Sequence, residues 1–428
     1  MRFSGFDDEW NQYYLKDVIQ DFINGQTPSR NVDSFWNGDV NWVSSGELNY
    51  NYITSTIEQI TAEGKNNANL KLLSPGTFLI AITGLEAPGT RGSCAILGIE
   101  ATTNQSCMAL LPKEDKIITK FLYYWYLKVG ETYGIKYTQG TKQQSYNKEL
   151  LEKLPITIPD IREQNKISEF LSVLNHKIEL LEQKYHYYQE FKKYLMQQIF
   201  TQKLRFNFTD EWEKYLLGDI SLIGKGFTPS TSNPSFWDGD LKWLSIADMN
   251  QGKYINQTTK KITSDGSKNK EPVKKSTLLM SFKLSIGKLG ILTEDMYTNE
   301  AICNFKWKNK DVLTEYMYYY LSSINILKYG SQAAKGITLN NETLSTIPVL
   351  LPSLEEQKKI INILSDVDMK INMLENSIND TSKFKKGLLQ QMFVVRINWR
   401  CNFKLVKSPS FNKHLLILKN KIIFIIIK

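Results

Sequence analysis

One stretch of this chain is written twice, and that repetition limits the architecture more than any other feature. Gly25, Thr27-Pro28-Ser29, Ser34-Phe35-Trp36, Gly38-Asp39, Trp42 and Ser44 return as Gly226, Thr228-Pro229-Ser230, Ser235-Phe236-Trp237, Gly239-Asp240, Trp243 and Ser245, all at one offset. The openings recur too, Arg2-Phe3 and Glu9-Trp10 as Arg205-Phe206 and Glu211-Trp212. Further along, Thr119–Tyr124 answers Thr314–Tyr319. A period near 200 residues is too long for a solenoid, whose units run about 20–50 residues. It predicts two homologous domains, each large enough for its own core.

Each copy runs into a long heptad pattern. In the first, apolar residues fall at Ile167, Leu171, Leu174, Ile178, Leu181, Tyr185, Tyr188, Leu195 and Ile199, with Lys192 as the one break. In the second they fall at Ile360, Leu364, Val367, Ile371, Leu374, Ile378, Leu388 and Met392, broken at Thr381 and Lys385. A mean spacing of about 3.5 residues marks a coiled-coil seam. Asp160 with Glu163, and Ser353 with Glu356, predict a capping box at each start. About 40 residues at 1.5 Å rise give each helix roughly 60 Å, and a seam that long needs a partner. The other copy supplies one, and an antiparallel pair with a globular domain at each end is expected. The expected order is a domain over 1–160, a helix over 161–200, a domain over 201–352, a helix over 353–393 and an atypical tail over 394–428. The fold class is α/β (α+β), pseudo-two-fold symmetric. Runs such as 77–82 and 276–282 read as strands, and the aromatic runs 121–127 and 316–321 as buried helices packed on them.

Composition narrows the function. With 42% hydrophobic and 23% charged residues the chain suits a globular protein. Four widely separated cysteines and three scattered histidines argue against a disulfide scaffold or a metal site and point to a reducing, cytoplasmic setting. The acidic start, Met1-Arg2-Phe3-Ser4-Gly5-Phe6-Asp7-Asp8, is unlike a signal peptide. No apolar run approaches the roughly 20 residues of a membrane span. The formal net charge of +9 is a weak pointer to nucleic acid, because residues 394–428 hold eight Lys/Arg and no acid. A DNA-binding body would have to segregate its charge onto one face.

Catalytic signatures are missing from the sequence. There is no phosphate-binding G-x-x-x-x-G-K-[ST], no G-x-G-x-x-G and no G-x-S-x-G. Asp160 and Glu182-Gln183-Lys184 imitate a Mg²⁺-nuclease pattern, but about 22 helical residues separate the carboxylates by some 33 Å. Trp36, Trp42, Trp237 and Trp243 recur in both copies, which favours a shared scaffold role over base stacking. Specificity belongs instead where the copies diverge yet stay polar. Those positions include Arg30 and Asn31 against Thr231, and Thr90 and Arg91 against Lys283 and Lys288. A third pair of segments sets Lys142, Gln143 and Gln144 against Gln332 and Lys335. Gln can pair bidentately with adenine and Arg or Lys with guanine, while hydroxyls and ammonium groups serve phosphates.

Taken together, the Arg-Phe…Glu-Trp openings, the Gly-x-Thr-Pro-Ser…Phe-Trp-x-Gly-Asp…Trp segments, the helix starts (Glu163-Gln164 with Ile167, Glu356-Gln357 with Ile360) and the helix ends at Leu195–Phe200 and Leu389–Phe393 resemble the specificity (S) subunit of type I restriction–modification enzymes. The resemblance covers about residues 1–393. It implies two target-recognition domains, each reading one half of a bipartite, asymmetric double-stranded DNA sequence, with the helices as a ruler between them. The helices would also dock two modification subunits, through Glu163, Gln164, Ile167, Phe170, Leu174, Ile178 and Leu181 and through Glu356, Gln357, Ile360, Leu364, Ile371 and Leu374. Phe191 and Phe384 are further candidates to face those partners. The assembly would be an adenine-N6 DNA methyltransferase using S-adenosylmethionine. Two restriction subunits with ATP and Mg²⁺ would add cleavage. This chain would contribute no catalytic residue and bind no cofactor, metal or membrane. A coiled-coil scaffold joining two ligand-binding domains, without DNA specificity, is the alternative. The tail, basic and apolar without clean periodicity, departs from the family and reads as a loosely packed extension rather than a membrane-surface anchor.

Overall fold

The computed structural model describes residues 2–393 apart from 88, 139–143, 284 and 334–335, and gives the backbone alone for 331–333 and 336–338. The tail from 394 lies outside the described residues. The chain divides into two compact units, and the division cuts both long helices. One unit runs up to Leu171 and takes in the end of the second helix from Lys386; the other is Ser172–Lys385.

In the first unit a five-stranded sheet has the order Ile19–Asn24, Cys107–Pro112, Phe78–Ala81, Cys94–Leu97, Tyr52–Ile53. The central strand Phe78–Ala81 is apolar at every position and buried throughout, as a strand covered on both faces must be. The helix Thr119–Lys136 covers it, placing the rings of Tyr123 and Tyr126 6.2 and 5.8 Å from Phe78. A three-stranded sheet, Glu58–Ile60, Trp36–Val43, Thr102–Thr103, stands beside it. A ribbon of Asn11–Tyr14 and Pro155–Ile158 closes the domain. The second unit repeats each sheet in the same order. Its five-stranded sheet is Ser221–Lys225, Ile302–Trp307, Leu278–Ser281, Leu289–Leu292, Tyr254–Ile255; its three-stranded sheet is Lys260–Ile262, Trp237–Leu244, Tyr297–Thr298. The copies part company after the aromatic helix. Helix Thr314–Ser323 is shorter than its counterpart and leads to a 3₁₀ turn, Ile326–Tyr329, and a hairpin of Ser331–Ala333 and Gly336–Thr338.

The duplicated motif is scaffold. A Cβ on Gly25 would stand 2.1 Å from the carbonyl oxygen of Thr103, and one on Gly226 2.0 Å from that of Thr298, so only glycine lets these backbones approach. Trp42 and Trp243 are buried, and their indole N–H groups donate to the carbonyls of Gln26 and Phe227 at 3.0 and 2.9 Å. Trp36 and Trp237 meet them edge to face, at 5.3 and 5.1 Å between centroids.

The first long helix spans Ile161–Phe200 and the second Leu354–Met392. Burial follows the heptads. Ile167, Leu171, Leu195 and Ile199 are buried and the seam positions between them half-buried, including Lys192, the expected break. Lys192 donates to Asp368 of the second helix at 2.6 Å, and Asp368 accepts from Tyr319 at 2.6 Å. In the same unit the last turns of the first helix (Leu195, Ile199, Phe200) share a core with the first turns of the second (Ile360, Leu364, Val367). In the other unit Phe393, just past the second helix, meets Trp10 and Phe121, where the start of the first helix is held. Within each unit, then, the helices run in opposite directions.

A half-buried ion pair beside an otherwise largely apolar seam disfavours other registers. A double-mutant cycle with Lys192→Met and Asp368→Asn is therefore expected to return a coupling of about 1–2 kcal/mol by urea denaturation. A value near zero would mean that the pair does not specify the register.

Candidate nucleic-acid interface

Each helix start is locked to its own domain by two buried polar side chains, and this corrects two expectations. Asp160 and Ser353 cap as expected, accepting from the backbone N–H of Glu163 at 2.8 Å and of Glu356 at 3.4 Å. The glutamates do not return to the cap. Glu163 accepts from Arg2 at 2.8 and 2.7 Å and from the Trp10 indole at 3.2 Å. Glu356 accepts from Arg205 at 2.8 Å twice and from Trp212 at 3.0 Å. Those bonds raise the Arg2 and Arg205 pKa values still further above the ordinary arginine value. Gln164 accepts from the N–H of Ile118 and donates to Lys116 and Pro159, and Gln357 does the same with Leu313, Asp311 and Pro352.

The residues expected to dock partners through the helices are therefore largely spent inside the chain. Glu163, Gln164, Glu356 and Gln357 are buried in these locks, and Ile167, Ile360, Leu364 and Leu374 are buried in the core or seam. Leu174, Ile178, Leu181 and Ile371 are half-buried on the same seam face. Phe170 packs edge to face on Phe3 at 5.5 Å. Phe191 and Phe384 do stay exposed. The surface available to a partner is one the heptad reading passed over. Val173, Leu180, Tyr187 and Tyr194, at intervals of seven, are at least half exposed on the first helix, as are Met369 and Met373 on the second. A repeat of seven off the seam was legible, but the stronger seam pattern masked it.

The polar candidates on the domains fall into separate places. Arg30 is spoken for. Its guanidinium lies 3.7 Å over the Trp36 ring and 5.2 Å from that of Trp42, and it pairs with both carboxylate oxygens of Glu58, the second at 2.9 Å. That bond holds the Glu58 carboxyl below its ordinary range. Arg91 is likewise a loop clamp, donating to the carbonyls of Leu85 and Glu86 at 2.8 and 2.9 Å. Its stem lies where a Cβ on Gly134 would be. Each arginine is thus engaged by its own domain, Arg30 by a carboxylate and Arg91 by two carbonyls.

Asn31 and Thr231 are exposed, and Thr90 is half-exposed beside Arg91. Gln144 is drawn to the same loop, its N–H donating to Glu86 at 2.9 Å and its carbonyl accepting from Leu85 at 3.0 Å. Thr90, Arg91 and Gln144 are thus brought together, with Arg30 on the tryptophan pair instead. In the second domain Lys283 is exposed, and Lys288 donates to Asn250 at 2.8 Å; one loop carries both. Lys142, Gln143 and Lys335 lie outside the described residues, and Gln332 is placed by its backbone alone, in the hairpin of Ser331–Ala333 and Gly336–Thr338.

A polar cluster that sequence reasoning missed ties the second domain to both helices. Lys253 donates to Glu315 at 2.7 Å, to Tyr319 at 3.2 Å and to Ser365 at 3.2 Å, and Tyr319 bonds Asp368. Burial pushes the Glu315 carboxyl up, but donation by Lys253 and Tyr254 outweighs it, and the net shift is downward. Burial, reinforced by the Asp368 carboxylate, pushes the Tyr319 hydroxyl well up. No signal could have announced the cluster, since its members are scattered from 192 to 368.

Among the described residues, no group of three or more His, Cys, Asp and Glu could hold a metal ion, and no helix is long and apolar enough to cross a membrane. Cys107 and Cys303 are buried, and burial raises their thiol pKa values, that of Cys303 to about 12.

Comparison with known proteins accords with this geometry. The chain is 29% identical over 202 residues to the type I restriction enzyme MjaIX specificity subunit of Methanocaldococcus jannaschii, covering 45% of this chain and 44% of that one. It is 23% identical over 417 residues to the MjaVIII specificity subunit of the same organism, covering 91% and 93%. The fold matches a crystal structure of a type I restriction–modification S subunit from M. genitalium with a TM-score of 0.58 at 15% identity, over 92% of this chain and 97% of that one. A chain from a structural study of type I R-M complex assembly and conformational transition matches at 0.60, also at 15% identity, over 91% and 98%. The family model described as the type I restriction modification DNA specificity domain matches twice, over residues 7–187 and 209–381. The chain therefore belongs to the type I restriction–modification DNA specificity family, as a DNA-recognition subunit carrying two copies of the family's domain.

Proposed function

We propose that each domain reads one half of a bipartite, asymmetric double-stranded DNA site, and that the helices set the gap between the halves and dock two modification subunits. The observation that carries this reading is the division of labour between the copies. Residues that hold the frame recur as pairs with the same bonds: Trp42 with Trp243, Glu163 with Glu356, and Gln164 with Gln357. The polar loops differ in sequence. Two frames of one design with unlike reading edges suit a site whose halves differ in sequence. The stripe at Val173, Leu180, Tyr187 and Tyr194 supports docking, because regularly spaced exposed apolar groups on a helix suit a partner helix.

In the proposed assembly the modification subunits bring S-adenosylmethionine and transfer its methyl group to adenine N6. Two restriction subunits, where present, use ATP and Mg²⁺ to cleave. This chain supplies recognition and geometry and no reacting group. The test is domain exchange. Replacing residues 209–352 with the corresponding domain of a relative, then mapping methylated adenines in host DNA, is expected to change one half of the motif and leave the other half and the gap unaltered. A change in both halves, or in neither, would overturn the proposal.

A further inference from the structure

The two domains carry a cation on the same tryptophan by different means, and the difference leaves them with different charge. In the first domain the cation is Arg30, and Glu58, across the strand pair from Trp42, neutralises it. In the second domain the position of Arg30 is taken by Thr231 and that of Glu58 by Lys260, across the same pair from Trp243. The Lys260 ammonium stands 5.3 Å over the Trp237 ring. A second ammonium, that of Lys270, stands 4.4 Å over the ring of Phe227, whose carbonyl accepts from Trp243. Position 227 is Gln26 in the first domain.

Among the described residues neither Lys260 nor Lys270 has a carboxylate partner, and both are exposed. An aromatic face orients an ammonium group but leaves its charge intact, whereas a carboxylate cancels it. The surrounding segments differ in the same sense. Residues 260–273 hold four lysines against two acids, and the equivalent residues 58–73 hold two of each.

We propose that the loop 226–232 of the second domain, with Lys260 and Lys270, is a contact for DNA phosphates, and that the equivalent face of the first domain makes no such contact because Arg30 and Glu58 satisfy each other. The exposed hydroxyls of Ser230 and Thr231 on that loop suit the same anion. Recognition is thereby divided unequally, with the second domain carrying more of the salt-dependent, sequence-independent affinity. This inference rests on the DNA-reading role proposed above.

The experiment uses the full complex with its modification subunits and a duplex bearing the mapped motif, and follows affinity against salt. Each phosphate contact contributes about 0.9 to the slope of log affinity against log salt. Lys260→Gln with Lys270→Gln is therefore expected to reduce the slope by about 1.8, which removes roughly tenfold of the affinity lost between 50 and 200 mM salt. Arginine at both positions should restore the slope. Arg30→Gln with Glu58→Gln should leave the slope unchanged, and no variant should alter the methylated motif. An unchanged slope in the double glutamine variant at unchanged thermal stability, or a shift in the motif, overturns the phosphate assignment. Failure of the unsubstituted complex to select any motif would instead sink the DNA-reading role itself.

Discussion

Glu356→Ala is expected to destabilise the second unit by about 3 kcal/mol, toward the lower end of the usual loss when one partner of a buried ion pair is removed. The Glu356 side chain is 2% exposed and that of Arg205 19%, so the guanidinium keeps some access to water. The deletion nevertheless strands two Arg205 donors and the Trp212 indole N–H at once. Urea denaturation followed by circular dichroism should show the loss in one of two transitions, because the chain holds two compact units and is not expected to unfold in a single step. Glu163→Ala should act on the other transition, and more weakly, since Arg2 is 32% exposed. The neighbouring exposed Glu355→Ala serves as control and should shift neither transition by more than about 0.5 kcal/mol. Equal effects of Glu355 and Glu356 would show that the buried lock does not hold the helix start.

Gly226→Ala should cost at least as much. The added methyl would lie 2.0 Å from the Thr298 carbonyl oxygen, and the obstacle is backbone within a strand pair, not a flexible side chain. Relief requires moving either the strand Tyr297–Thr298 or the loop that accepts the Trp243 indole bond. Overpacking of this kind costs about 1–3 kcal/mol where side chains can give way, and the rigid obstacle places this case at or above the top of that range. The functional readout should be selective. Methylation mapping is expected to show loss of specificity at the half-site of the second domain first. Gly387→Ala, where nothing lies within 4 Å of the added methyl, should instead stabilise the second helix by up to about 1 kcal/mol. If Gly226→Ala is silent, the recurrence of glycine at 25 and 226 does not report close packing.

The frame of this protein was largely legible from its residues. The heptad positions from Ile167 to Ile199 and from Ile360 to Met392 follow the buried face turn by turn, because a helix buries whatever recurs every 3.5 residues and that period is visible without coordinates. The strands at Phe78–Ala81 and Leu278–Ser281 sit inside the apolar runs expected to form them. The candidate site was read less well. Arg30 and Arg91 have the right chemistry for guanine, and each is also held by a partner within its own domain. Whether a guanidinium is free depends on Glu58 or on the carbonyls of Leu85 and Glu86, and no spacing rule connects them. Glu163 and Glu356 looked like the second halves of capping boxes until Arg2 and Arg205, more than 150 residues away, proved to be their partners.

Repetition and periodicity are relations between residues near in sequence or at a constant offset, so the chain's letters were enough to establish two like domains, two long helices and a shared frame. Which polar side chains remain free to meet DNA depends on pairings between residues far apart in the chain, such as Lys260 with Trp237, Arg30 with Glu58 and Lys253 with Glu315. Those pairings exist only once the sheets have closed. For that reason the pairing that cancels the charge of Arg30 but leaves Lys260 and Lys270 without a carboxylate among the described residues emerged from the folded arrangement. The apolar repeat outside the seam, by contrast, stood in the sequence and was overshadowed by the seam itself.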